Sequence, residues 1–105
     1  MSAPSAFEAI AEPSRRALLD LMLPGPRPVG ELAREAGLSQ PNASRHLRVL
    51  RDAGLVERTA DGQRRLYGLR ADGFADIARW LTPYALLWQR GLRALEAHLA
   101  EAEDA

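Results

Sequence analysis

The chain has 105 residues, enough for one domain with a modest core, and 47% of them are apolar. It contains no cysteine, which excludes disulfides, thiolate metal sites and cysteine nucleophiles, and no apolar run approaches the length of a membrane span. Formal net charge is zero, an unpromising sum for binding a polyanion, but the charge is unevenly spread.

Between Glu31 and Arg70 there are eight arginines against five acids, and between Asp72 and Ala105 three arginines against six acids. All 14 basic residues are arginine, which suits bidentate contacts to phosphate and guanine. A lysine-free, alanine-rich chain is more simply what a GC-rich genome encodes.

The first residues, MSAPSAFEAIAEPSRR, lack a charged segment followed by an apolar one, so they do not read as a signal peptide and a cytoplasmic location is expected. Phe7 and Ile10 give a short amphipathic helix. Pro13 can open a second, PSRRALLDLML, with Ala17, Leu18, Leu21 and Met22 as its apolar face, so residues 5–23 are expected to be N-terminal helices. The PGPRP run, Pro24 to Pro28, ends that helix in a stiff loop.

Residues 29–53 read as a short helix, a tight turn and a longer helix, the helix-turn-helix pattern. VGELAREAG rests on Leu32, Ala33 and Ala36 and is closed by Gly37. Ser39 is a good N-cap for the second helix, and Pro41 is tolerated in a first turn whose amides have no intrahelical partner. Ala43, Leu47 and Leu50 recur at i, i+4 and i+7 as a buried stripe. The other faces carry Gln40, Asn42, Ser44, Arg45, Arg48 and Arg51, side chains that donate to phosphates or reach base edges. Gly54 sits where a helix C-cap glycine belongs.

Residues 55–69, LVERTADGQRRLYGL, are expected to form a two-stranded hairpin turning on Asp61-Gly62 as a type I′ pair. That register sets Val56 opposite Tyr67 and Arg58 opposite Arg65. Two facing arginines repel unless an anion lies between them, and a phosphate backbone would serve.

Residues 72–102 read as helical, with a break or kink expected at Thr82-Pro83. Leu81, Ala85, Trp88, Leu92, Leu95 and Leu99 alternate steps of four and three, a heptad-like seam whose simplest partner is its own copy. Phe74, Ile77, Trp80 and Leu87 occupy a second face. Trp80, Tyr84 and Trp88, four residues apart, are expected to be core; the alternative is a small apolar ligand pocket at a dimer interface.

At this point AEPSRRALLDLM, GELAREAGLSQPNASRHLRVLRDAGLVERT and DGQRRLYGL, spanning roughly Phe7 to Leu69, resemble the ArsR-type (ArsR/SmtB-like) winged-helix transcriptional regulators. The resemblance implies a mainly α fold: a winged helix-turn-helix with a two-stranded hairpin wing and N- and C-terminal dimerisation helices, making residues 1–105 a single DNA-binding domain. It implies a homodimer, with Phe7 and Ile10 of the first helix joining the C-terminal seam in the interface. It further implies a recognition helix in the major groove of an operator, with Gln40, Pro41, Asn42, Ser44 and Arg45 facing the groove, Arg48 on phosphate, and Arg64 and Arg65 as wing contacts. His46 belongs to the pattern, but beside a buried leucine it is expected to pack or meet phosphate rather than read a base.

Two departures from the family pattern stand out. Pro28 replaces a serine or threonine cap before Glu31, which leaves the capping box incomplete. The cysteines that bind metal in many members are missing, and His98 and Glu101 make only half of a C-terminal carboxylate–histidine site, with Ala85 and Leu87 where further ligands would be needed. No metal and no other cofactor is therefore expected.

An enzyme is the weakest reading. Ser44 and His46, two positions apart on a helix, point to different faces and cannot form a nucleophile–base pair. A winged-helix module that binds a protein is the other alternative, suggested by the neutral charge and the acidic tail. The expected partners are double-stranded DNA and a second copy, without a membrane; the sequence names no effector.

Overall fold

A computed structural model describes residues 3–104. The chain divides into two compact units, residues 1–75 and 76–105, which are taken separately.

In the first unit, α1 (Ala6–Ile10) is capped by Ser5, whose Oγ accepts from the Glu8 amide at 3.1 Å. Ala9 is its buried residue; Ile10 is half-buried and Phe7 exposed. Helix α2 (Pro13–Leu21) opens on Pro13 as expected, with the Glu12 carboxylate accepting from the Arg15 amide at 3.0 Å. Arg15 and Arg16 turn back to cap α1: Arg15 Nε donates to Ala9 O at 2.6 Å and Arg16 Nη1 to Ile10 O at 2.9 Å. Carbonyls left without partners at a helix end are thus satisfied by side chains of the next helix.

The Pro-rich loop holds one element that local patterning does not reveal. Arg27–Pro28 form a short strand, β1, so the sheet has three strands in the order β1-β3-β2 rather than two. A proline is tolerated there because β1 lies at the sheet edge. Helix α3 (Val29–Ala36) starts at Pro28 with no side-chain cap, as the missing serine or threonine predicts. It ends at Gly37, whose φ of 70° lets Leu38 N reach Ala33 O at 2.9 Å. Helix α4 (Gln40–Asp52) is capped by Ser39, and Gly54, at φ 79°, closes it while Leu55 N bonds Leu50 O at 3.0 Å. The stripe is buried as its spacing requires: Ala43, Leu47 and Leu50 are inaccessible, and Leu47 and Leu50 share a core cluster with Leu18, Met22, Leu32 and Leu55.

Arg27 ties β1 to α3 through Glu35 at 2.5 Å, with Glu31 at 3.9 Å. The hydrogen bond from the Arg27 guanidinium holds the Glu35 carboxyl below the usual carboxylate range and raises Arg27 in return. A lowered folded-state pKa contributes stability that is present above the ordinary glutamate value and is lost as pH falls through the folded value. Glu35→Gln should therefore flatten the stability-versus-pH curve in that acidic window and leave its slope near neutrality unchanged. Denaturant titrations from neutral pH downward measure this; an unaltered acid limb would show the pair to be without weight.

The wing consists of β2 (Val56–Asp61) and β3 (Arg64–Leu69), but its register differs by two residues from the expected one. Asp61 pairs with Arg64, Ala60 with Arg65, Arg58 with Tyr67 and Val56 with Leu69, so the turn residues are Gly62 and Gln63. A type I′ turn on Asp61-Gly62 would need positive φ at both residues, whereas here only Gly62 adopts it, at 65°. The observed register also sets opposite charges across the turn. Arg58 and Arg65 are therefore diagonal neighbours rather than directly opposed.

A 3₁₀ turn, Ala71–Phe74, follows the wing. A Cβ built on Gly73 would lie 1.9 Å from Gly54 O, a backbone atom that cannot swing aside. Gly73→Ala should destabilise this unit by about 1–3 kcal/mol, the range for overpacking. Thermal unfolding reads this out, and an unchanged midpoint would mean the turn relaxes freely.

In the second unit, α5 (Ala75–Asp104) is one helix with Pro83 inside it, so of the break or kink expected at Thr82-Pro83 the break does not occur. Proline removes a single amide, and Thr82 Oγ1 donates to Ala78 O at 2.7 Å beside the gap. No helix among the described residues is long and apolar enough to cross a membrane. Along the seam Leu81, Trp88, Leu92, Leu95 and Leu99 are exposed and Ala85 half-buried, and the Trp80 and Tyr84 rings lie 4.9 Å apart.

Candidate nucleic-acid interface

Burying Ala43, Leu47 and Leu50 fixes what α4 shows to solvent. Gln40, Pro41, Ser44, Arg45, Arg48 and Arg51 are exposed and Asn42 is half-buried. The N-terminal turn is held by Ser39 Oγ accepting from the Asn42 amide at 3.2 Å. Asn42 in turn orients the guanidinium of Arg45, whose Nη2 donates to Asn42 Oδ1. An arginine braced by an amide one turn earlier keeps its remaining N–H groups free for a planar acceptor pair such as guanine O6 and N7.

His46 points elsewhere. Its Nδ1 lies 3.9 Å from Glu12 Oε2, the same oxygen that caps α2, so it joins α4 to α2 rather than facing outward with Arg45.

The wing residues separate. Cross-strand partners share a face and successive residues alternate, so Val56, Arg58, Arg65, Tyr67 and Leu69 lie on one side and Arg64 with Asp61 on the other. The fold brings Arg65 to the recognition helix and keeps Arg64 away from it. On the Arg65 side, a cavity of about 590 Å³ opens between α4 and the wing, where Ser44, Arg48 and Arg51 meet Arg58, Arg65 and Tyr67. The sequence shows Arg51 on a phosphate-donating face of α4 and Arg58 beside Arg65 on the wing, but it does not bring the two pairs together. Arg51 follows Arg48 by three residues on the same helix, and a register shift of two residues leaves Arg58 and Arg65 on one face of the wing.

Among the described residues no group of three or more His, Cys, Asp or Glu is arranged to hold a metal ion. His98 and Glu101 are exposed on α5.

A capped helix with a polar outer face, preceded by a short helix and a tight turn and followed by an arginine-bearing hairpin, defines the winged helix-turn-helix class of DNA-binding proteins. A family model for the bacterial regulatory proteins of the arsR family matches residues 12–58. Over 98 residues the chain is 39% identical to the HTH-type transcriptional regulator Rv2034 of Mycobacterium tuberculosis, covering 93% of this chain and 88% of that protein. It is 33% identical over 75 residues to the transcriptional repressor SdpR of Bacillus subtilis, covering 71% and 83%. The homodimeric winged helix-turn-helix DNA-binding domain of Mb0332 from Mycobacterium bovis superposes with a TM-score of 0.62 at 30% identity, covering 79% of this chain and 74% of that one. The chain belongs to the ArsR family: it is a DNA-binding transcriptional regulator and not an enzyme.

Proposed function

We propose that the protein is a cytoplasmic, homodimeric repressor that binds an imperfect palindromic operator, its 105 residues acting as a single winged-helix DNA-binding domain. Arg45, exposed on α4 and oriented by Asn42, carries this reading. Gln40, Pro41, Asn42, Ser44 and Arg45 face the major groove, with base hydrogen bonds from Gln40, Asn42, Ser44 and Arg45. Arg48 neutralises a phosphate, and Arg64 and Arg65 serve as wing contacts, Arg65 beside the helix and Arg64 from the outer face.

The second copy is held by Leu81, Ala85, Trp88, Leu92, Leu95 and Leu99, with Phe7 and Ile10 of α1 in the same interface. Five of the six seam residues are exposed in the single chain, which supports the reading because an apolar stripe of that length needs a partner. Symmetry then places the two recognition helices on half-sites about one helical turn apart. Repression accords with the similarity to a protein named as a transcriptional repressor, and dimerisation with the similarity to a domain named as homodimeric.

The test is fluorescence anisotropy on DNA from upstream of the protein's own gene against a scrambled duplex, at two salt concentrations, with sedimentation to give the stoichiometry. Selective, salt-sensitive binding by a dimer is expected. Absence of duplex binding together with a monomeric mass would overturn the reading and bring a protein partner to the front.

A further inference from the structure

The cavity between α4 and the wing has a composition that base reading does not explain. Arg48, Arg51, Arg58 and Arg65 converge on it, with Asp52 the single acid in its lining. All four guanidiniums are exposed, and among the described residues none of them makes a side-chain hydrogen bond or ion pair. Several other arginines are engaged, Arg15 and Arg16 capping α1, Arg27 holding Glu35, and Arg70 and Arg79 holding Asp72 and Asp76; what sets the four apart is that they converge on one cavity. Converging like charges raise one another's energy unless an anion enters between them. Two neutral donors, the Ser44 hydroxyl and the phenol of the largely buried Tyr67, line the same space.

The backbone that makes this cavity is fixed from both sides. Leu47 and Leu50 anchor α4 in the core, and Val56 and Tyr67 anchor the wing face that carries Arg58 and Arg65. The arginines therefore stand on two rigid elements, and the concavity exists without a ligand. Guanidinium forks with hydroxyl donors are a recognition set for phosphate oxygens. A cavity of about 590 Å³ leaves room for a stretch of sugar–phosphate backbone.

We propose that Arg51 and Arg58, acting with Arg48 and Arg65, form a preformed clamp between recognition helix and wing that grips the DNA backbone. The clamp rests on the DNA-binding reading above and adds to it a sequence-independent contact that fixes the register in which Arg45 meets its base. Because it touches phosphates alone, it strengthens binding to any duplex equally.

The experiment compares the parent, R51A/R58A and the charge-matched R90A/R93A, altered on α5, by anisotropy on operator and scrambled duplexes across a salt series. R51A/R58A should lower the slope of log affinity against log salt by about two, near 0.9 per phosphate, and weaken both duplexes on the order of tenfold at near-physiological salt. The ratio between the two duplexes should stay unchanged, and R90A/R93A should keep the parent slope. Because the variant removes mutual repulsion from exposed positions, its melting temperature should not fall below the parent's, which separates loss of the clamp from loss of the fold.

A second arm follows thermal unfolding of the DNA-free proteins in inorganic phosphate and in chloride at equal ionic strength. Stabilisation of the parent by phosphate, lost in R51A/R58A while the DNA slope is unaltered, would make the basin a free-anion site and overturn the proposal. Equal slope losses in both double variants would reduce the effect to net charge and also overturn it. A parent that binds no duplex would refute the DNA-binding reading itself, whereas salt-sensitive parent binding with an unaltered R51A/R58A slope would refute only the clamp.

Discussion

Replacing Leu47 with alanine should lower the free energy of unfolding by about 2–5 kcal/mol, the range for deleting a buried leucine side chain. Leu47 is wholly inaccessible and lies in the cluster with Leu18, Met22, Leu32, Leu50 and Leu55, side chains of α2, α3, α4 and the start of the wing. The loss combines the transfer of the missing carbons with the cavity they leave, because a core pinned by several elements cannot collapse fully onto the gap. Set against a typical total of roughly 5–15 kcal/mol, this is a large share of the stability. Leu23→Ala is the matched control, since Leu23 is 72% exposed and the same chemistry there should change stability by about 0.5 kcal/mol or less. Urea titrations at one fixed protein concentration compare the two, as association would make the midpoint concentration-dependent. A Leu47→Ala shift as small as that of Leu23→Ala would mean that α4 is held by something other than this core.

The core, the caps and the helix-turn-helix were legible because each leaves a local mark. Ala43, Leu47 and Leu50 follow the helical period, and Ser39, Gly37 and Gly54 occur where a helix must start or stop. The features that were not legible depend on pairing across the fold. β1 is two residues long, too short to show alternation, and exists because Arg27 and Pro28 meet Tyr67 and Leu66 of β3. The hairpin register turned on which residue took the left-handed conformation, and Asp61-Gly62 offered two choices two residues apart in pairing. Gly73 carried no signal of its approach to Gly54, since it lies in no motif and the contact joins residues 19 apart in the chain. Pro83 argued for a break because proline opposes helix locally, but one missing amide does not end a helix of 30 residues.

The same distinction applies to the candidate site. The exposed face of α4 could be read from that helix alone, because once the buried stripe is known the opposite face follows from geometry. The helix–wing cavity could not, because it needs Arg58 and Arg65 on one face of the hairpin and that face turned toward Arg48 and Arg51. The sequence pairing that set Arg58 directly against Arg65 identified the right two side chains on the right face but missed the helix that completes their surroundings.

Arg45→Ala should weaken operator binding by about 1–3 kcal/mol and relax discrimination at one base pair, while leaving affinity for random duplex nearly unchanged. The guanidinium is exposed near the N-terminal end of the recognition helix and is steered by Asn42 Oδ1, so its loss removes a directed donor pair rather than a diffuse charge. Asn42→Ala should reproduce part of that loss with Arg45 still present, because an unbraced arginine must surrender side-chain entropy on binding. Arg48→Ala should behave differently: affinity falls on operator and scrambled duplex alike and the salt slope drops by about one, as for a single phosphate contact. Anisotropy against a panel of operators, each altered at one base pair, separates the patterns. If Arg45→Ala weakened every duplex equally with a reduced salt slope, Arg45 would be a backbone contact, and sequence reading would fall to Gln40, Asn42 and Ser44. If it changed nothing, α4 would not enter the groove by its N-terminal turn. The contrast between Arg45 and Arg48 thus decides the orientation of the recognition helix, because two arginines one turn apart can differ in this way only if the groove floor faces the first and the backbone the second.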